Sequence, residues 1–348
     1  MTAARTARVG VREVAAEAHV SIGTVSHYLN APERVSEEKR KRIQAAIEAL
    51  GFVRNSAAGQ LRNGRSHIIG YVAPEVSTPY FGLVAEGVES RASAAGYSVL
   101  IASSHGNAQR ELDLIAMFEE QRVDGLIVAT RHEIEEQLAQ MRARGIPSVM
   151  VSRQARAAEQ PSVSVDDRRG GFLVGEHLWQ SGRRRIAFAG GPFTIRQVTD
   201  RFTGLQDALS PHGTASIEVI ECVDRSIDDG VRIGAMLAAR ESAHRPDALF
   251  AVNDMIAMGV MQALIERGVR VPEDIAVVGY DDVPVAAASI VPLTSVRATR
   301  DTHGEAAFEL LLDAIEARDS SQPPPVRHLV FEPALHVRAS SAERPGVT

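Results

Sequence analysis

Eight consecutive residues, Val20-Ser21-Ile22-Gly23-Thr24-Val25-Ser26-His27, set short hydrogen-bonding side chains among apolar ones at helical spacing. That mixture suits the second helix of a helix-turn-helix, whose inner face packs on its neighbour while its first exposed turn meets base edges. Val25 and Leu29 are expected inward, leaving Ile22, Gly23, Thr24, Ser26 and His27 outward. A three-helix bundle without any DNA-reading role is the other reading of this pattern. Lys39-Arg40-Lys41-Arg42 then form a dense basic run. With Arg12 and Arg54 it offers phosphate contacts, which position a protein on DNA without reading sequence, although such runs also serve as plain solvated surface. Farther along, four points stand just beyond apolar strand patterns: Tyr80-Phe81, Arg201, Asn253-Asp254 and Asp281-Asp282. Ligands of open α/β sheets bind at the carboxyl ends of strands, so these side chains are candidates for holding a small polar molecule. Asn253 or Asp254 is equally suited to N-cap the helix that follows. No GxSxG, P-loop, HExxH or GxGxxG stands in the chain, and no nucleophile has a base beside it, so neither catalysis nor a cofactor is expected.

The elements that position these residues are legible from periodicity. Three helical runs, VREVAAEA, IGTVSHYLN and Glu37 to Leu50, fit within about forty residues. Ser21 and Ser36 stand where the second and third helices need N-caps, and Gly51 closes the third. From Ile68 the pattern changes to apolar strands (IIGYVA, YSVLIA, DGLIVA, PSVMV) alternating with amphipathic helices, and a second series follows from Val163 (RIAFAG, IEVIEC, ALFAV, IAVVGY). Such alternation predicts two doubly wound parallel sheets. A helix at Glu305 to Ala317 and a last strand, LVFEPALHV, are expected to cross back between them.

With 348 residues, 45% hydrophobic, the chain is long enough for two or three units with cores of their own. The start lacks the apolar core of a secretory signal, and no run of about 18 apolar residues exists, so a cytoplasmic protein away from membranes is expected. Cys222, the only cysteine, excludes a disulfide within the chain and reads as a small core residue. Net charge is −6, but residues 1–66 hold eleven Arg or Lys against six Asp or Glu, and the remainder 27 against 38. A basic head on an acidic body is the asymmetry expected when only one end meets phosphate.

The head VREVAAEAHVSIGTVSHYLNAPERVSEEKRKRIQAAIEALGF resembles the N-terminal signature of the lactose-repressor-type (LacI) family of bacterial regulators, and the resemblance continues to about Arg338. It implies an α/β protein with three parts: a helix-turn-helix domain (1–54), a hinge helix and linker (55–66), and a two-lobed body of the periplasmic-binding-protein type (67–340). Lobe one is expected at about 67–162 and 297–322, lobe two at 163–296 and 323–340, and a polar tail at 341–348. The family's role implies a palindromic double-stranded DNA operator bound by a homodimer, repression, and allosteric control by a sugar or sugar-derived molecule. Carried over by position, Arg12, Ser21, Ile22, Gly23, Thr24, Ser26, His27, Asn30 and Arg54 meet DNA from the head. Asn55, Ala58 and Leu61 fall on the hinge, with Leu61 at the position that wedges between base pairs. Tyr80, Phe81, Ser152, Arg201, Arg225, Asn253 and Asp281 fall on effector-contacting stretches.

The departures carry chemistry. His19 replaces the usual glycine of the turn, His27 stands where arginine is frequent, and Gly59 weakens the hinge helix. After PSVMV, Ser152-Arg153 replaces an aspartate, and Arg225 takes a place often aromatic. One acid lost and one cation gained imply an anionic effector, a sugar acid or sugar phosphate, gripped by Arg201 and Arg225. Arg225 facing solvent or pairing with Asp224 is the alternative. An exported solute-binding protein would share the body but has no use for a basic head.

Overall fold

In the computed structural model, which describes residues 9–53, 65–213, 215–297, 300–320 and 326–342, the chain divides into two compact units, 1–66 and 67–348. The first holds α1 (Val11–Glu17), α2 (Ile22–Asn30) and α3 (Glu37–Leu50). Val14, Ala15, Val25, Ile43 and Ala46 form its core, with Leu29 packed against them. The turn into α2 contains a left-handed residue at His19 (φ 51°). Ser21 then caps α2, accepting from the Thr24 amide at 3.1 Å. Gly51, at φ 59°, ends α3. The hinge candidates Arg54, Asn55, Ala58 and Leu61 lie outside the described residues.

The second unit has two six-stranded sheets. The first combines β1 (Ile68–Ala73), β2 (Ser98–Ser103), β3 (Gly125–Ala129), β4 (Ser148–Val151), β5 (Ser162–Val165) and β11 (His328–Phe331) in the order β11-β5-β4-β3-β1-β2, all parallel. The second combines β6 (Arg185–Ala189), β7 (Ser216–Ile220), β8 (Ala248–Ala251), β9 (Ala276–Tyr280), β10 (Thr294–Arg297) and β12 (Ala334–His336) in the order β12-β10-β9-β8-β6-β7, with β12 antiparallel. The helices are α4 (Pro79–Ala94), α5 (Ala108–Glu120), α6 (Glu135–Ala143), α7 (Asp167–Gln180), α8 (Arg196–Leu209), α9 (Ile227–Ala238), α10 (Asp254–Glu266), α11 (Pro284–Ala287) and α12 (Arg300–Asp319). Central strands such as GLIVA, ALFA and AVVGY are buried throughout because helices cover both faces, whereas the edge strands β2 and β7 are largely exposed.

The lobes divide differently from the expected 162/163 boundary. Lobe one extends through Val165, because Ser162–Val165 runs parallel beside β4 and β11. The expected single strand LVFEPALHV is two strands, broken at Glu332-Pro333, with one in each sheet. An apolar run identifies a strand without naming the sheet it joins.

Two helix crossings in lobe two are made by glycines. A Cβ on Gly171 would stand 1.9 Å from the Arg201 carbonyl oxygen, and one on Gly204 1.9 Å from that of Arg168, so α7 and α8 meet backbone to backbone. Gly230 and Gly259 do the same for α9 and α10, at 2.2 and 2.1 Å. Gly204→Ala is therefore expected to force α7 and α8 apart and to cost about 1–3 kcal/mol, as overpacking does. Gly82→Ala, on α4 with nothing within 4 Å of the added methyl, should instead gain about 0.5–1 kcal/mol from helix propensity. Urea unfolding midpoints of the two variants check both signs.

Candidate functional site

The head presents an uneven face. Ile22 is 51% exposed, Gly23 and His27 are exposed, and Thr24 and Ser26 are half-buried. The Ser21 and Thr24 hydroxyls lie 2.8 Å apart, and the Asn30 amide donates to the Ser26 carbonyl. Three of the nominated polar groups are thus partly engaged in holding α2, leaving Ile22, Gly23 and His27 as its free outer surface. Tyr28 pins α2 to α3 by donating to Gln44 Oε1 at 2.6 Å. Arg12, Lys39, Lys41 and Arg42 are exposed, with Lys41 3.1 Å from Glu37.

In the body, a cleft of about 740 Å³, counting the solvent at its mouth, opens between the sheets. All seven nominated residues line it: Tyr80, Phe81 and Ser152 from lobe one, and Arg201, Arg225, Asn253 and Asp281 from lobe two. Arg153 does not; it is buried against Glu133 and Glu135, at 3.1 and 3.2 Å. Sequence reasoning missed Arg131, Asp167, Gln197 and Tyr280, which line the cleft as well. Arg131 follows β3, Asp167 follows β5 and Tyr280 ends β9, so the strand-end rule that found the others also applied to these three.

Arg201 is the cleft arginine most closely surrounded by charged and aromatic partners. Its Nε donates to Asp167 at 2.8 Å, Asp281 lies 3.9 Å away, and the guanidinium stacks 3.5 Å over the Tyr280 ring. Burial by itself would lower its pKa, but Asp167, Tyr280 and Asp281 more than reverse that and raise it. The close α7–α8 crossing is what brings the pair together. Arg201, expected to grip the charged end of an effector, lines the cleft with its guanidinium also paired with Asp167 and near Asp281.

Arg225 neither faces solvent nor pairs with Asp224. Its Nη1 donates to the Gly191 carbonyl, its amide donates to Asp229, and its carbonyl accepts from Asn253 Nδ2, each at 3.0 Å. Burial, and next the charge of Arg131, push its pKa down to about 10. Asn253 is the N-cap of α10, accepting from the Ile256 amide at 2.9 Å. Asp254 is fully buried and accepts instead from the Val283 amide and the Ser295 hydroxyl, at 2.8 and 2.6 Å. Ser152, Arg225 and Asp281 all have left-handed backbones (φ 74°, 56° and 98°), a conformation uncommon for such residues and concentrated at functional sites.

The lobes touch directly beside this cleft. Gln197 Nε2 of lobe two donates to the Ser152 carbonyl of lobe one at 3.2 Å, and Gln197 Oε1 has no partner. Tyr80 donates to the Ser152 hydroxyl at 3.1 Å and lies 3.4 Å from His303 Nδ1. Cys222 is buried and free, its thiol pushed up to about 12 by burial. Among the described residues there is no His, Cys, Asp or Glu cluster fit to hold a metal, and no helix long and apolar enough to cross a membrane.

Comparison with known proteins agrees with this division. Residues 11–55 match the model of bacterial regulatory proteins of the lacI family, and residues 176–341 that of a periplasmic binding protein-like domain. The HTH-type transcriptional repressor PurR of Escherichia coli O139:H28 is 32% identical over 342 residues, covering 96% of this chain and 97% of that protein. PurR of Vibrio atlanticus is 30% identical over 311 residues, covering 89% and 92%. Among solved structures, the lac repressor dimer bound to operator and the anti-inducer ONPF superposes with a TM-score of 0.80 at 25% identity, covering 96% of this chain and 99% of that one. A complex of the transcriptional regulator CelR with cellobiose gives 0.68 at 30% identity, covering 96% and 100%. With its helical head, its two-lobed cleft and this near full-length likeness to repressors, the chain belongs to the lacI family of bacterial regulatory proteins: it is a DNA-binding transcriptional regulator under small-molecule control, not an enzyme.

Proposed function

We propose that the chain is a cytoplasmic repressor that binds a near-palindromic operator as a homodimer and that its effector is a sugar-derived anion. The observation that carries this reading is the cleft itself, lined jointly by residues of both lobes and carrying three arginines against two aspartates. A ligand touching both lobes favours one arrangement of them, and by linkage the operator changes effector affinity by the same factor. The solved CelR–cellobiose complex supports a saccharide frame for the ligand, and the charge balance supports an anion.

Dimerisation is supported by apolar side chains left exposed along the edge strands and beside them. In lobe one these are Val76, Leu100 and Ile101, and in lobe two Val219, Val223 and Ile227. Such patches mark interaction surfaces, and the lac repressor neighbour is a dimer on its operator. Two heads set by a two-fold axis then enter successive major grooves, with Ile22, Gly23, Thr24, Ser26 and His27 toward base edges and Arg12 and Asn30 on the flanks. The hinge positions Arg54, Asn55, Ala58 and Leu61 complete the proposed DNA contacts.

Affinity capture of genomic fragments by the purified chain tests the reading. The expected result is a shared palindrome among recovered sites; salt-sensitive recovery of random fragments would mean that the head only neutralises phosphate.

A further inference from the structure

Arg131 and Arg225 come from opposite lobes, one from the loop after β3 and the other from the loop after β7, and both line the cleft. Neither is fully compensated. Arg131 has one carboxylate partner, Glu75, through two long contacts of 3.3 and 3.4 Å. Arg225 donates Nη1 to a carbonyl, and no carboxylate among the described residues lies within ion-pair distance of it. Its Nε and Nη2 carry no hydrogen bond there, although two contacts fix its backbone and one its Nη1. The third arginine, Arg201, is already paired with Asp167. Two guanidiniums that line one cleft from opposite lobes, with a single carboxylate paired to only one of them, favour an anion entering that cleft.

We propose that Arg131 and Arg225 form a two-sided clamp for one anionic group of the effector, a carboxylate or a phosphate, so that this charge is what ties lobe one to lobe two. The clamp rests on the effector reading above and assigns its specificity to a residue, Arg131, outside the positions the family resemblance supplies. Planar guanidiniums bind oxyanions through paired, charge-assisted hydrogen bonds, and each lobe supplies one. A neutral sugar of the same frame leaves that positive charge unmet and binds more weakly. The depressed pKa of Arg225, pushed to about 10 by burial and by Arg131, accords with a cation short of counter-charge.

The test uses the full chain and inorganic phosphate as the probe, with thermal unfolding measured against sodium chloride of equal ionic strength. Phosphate is expected to raise the Tm of the wild type. Arg131→Gln and Arg225→Gln should each weaken phosphate binding at least tenfold, and the double variant by less than the product of the two. Glu75→Gln, which releases Arg131, should tighten it, a gain that misfolding does not produce. A missing phosphate shift in the wild type, or a shift that survives both arginine substitutions, overturns the clamp; the latter places the anion elsewhere, including on the basic head. A parallel panel of gluconate, galacturonate and glucose 6-phosphate beside glucose and galactose separates the clamp from the effector reading. Stabilisation by the neutral sugars alone sinks both, whereas stabilisation by the charged ones with Arg131→Gln unaffected sinks the clamp only.

Discussion

Arg201→Met is expected to cost about 3–5 kcal/mol of folding stability, because removing one partner of a buried ion pair leaves the other charge stranded. Here the stranded carboxylate is Asp167, the direct partner of Arg201. Asp167 loses its 2.8 Å partner, and Asp281, already held at φ 98°, loses the cation 3.9 Å away. Methionine keeps part of the stacking on Tyr280, so the loss reads mainly the charge. Asp167→Asn is expected to cost less, since the amide keeps an acceptor for Nε and Asp281 remains beside the guanidinium. The informative variant is Arg201→Met with Asp167→Leu. Replacing both members of a buried pair by apolar groups is often neutral, so the double variant should recover much of the single loss. Urea unfolding of the four proteins measures this cycle, and strictly additive costs would show that Asp167 and Arg201 do not act as a unit. The same variants should lose effector-dependent release or capture of operator, because the wall that Arg201 braces joins α7, α8 and the end of β9.

That brace shows what a sequence conveys and what it withholds. The position of Arg201 beyond an apolar strand was legible, and so was its place in the cleft. Its pairing was not, because Asp167 lies 34 residues earlier and reaches it only through the glycine crossing of α7 and α8. Arg131 obeys the same strand-end rule, but nothing in its own type or neighbours sets it apart from the many surface arginines of the chain. In the head, local signals sufficed: Ser21 capping α2, Gly51 ending α3 and the left-handed turn at His19 all depend on neighbours within a few residues. The lobe boundary failed for the opposite reason. Which sheet Ser162–Val165 joins is decided by its pairing with β4 and, more than 160 residues away, with β11, and its own apolar pattern names neither.

A second large effect is expected at acid pH, and it reaches the cleft through a histidine. His303 is fully buried, and burial lowers its pKa from 6.5 to about 4. Its neighbours are the Tyr80 hydroxyl at Nδ1 and the Phe331 ring, and Nε2 has no partner, so nothing there stabilises an imidazolium. Between pH 6.5 and 4 the unfolded chain therefore takes up a proton that the folded chain refuses. Stability from this group is complete above pH 6.5 and falls as pH drops, by about 3 kcal/mol at pH 4. In His303→Met the neutral side chain cannot titrate, and Tyr80 still donates to Ser152, so the variant should lose that share of the acid slope while folding near neutrality. Urea midpoints from pH 7 to pH 4.5 compare the two, and equal slopes would remove His303 from the account. Because Tyr80 and Ser152 line the cleft and Ser152 accepts from Gln197 of the other lobe, protonation of His303 should also weaken effector binding. The expected sign is a loss of affinity below about pH 5 in the wild type that His303→Met does not share.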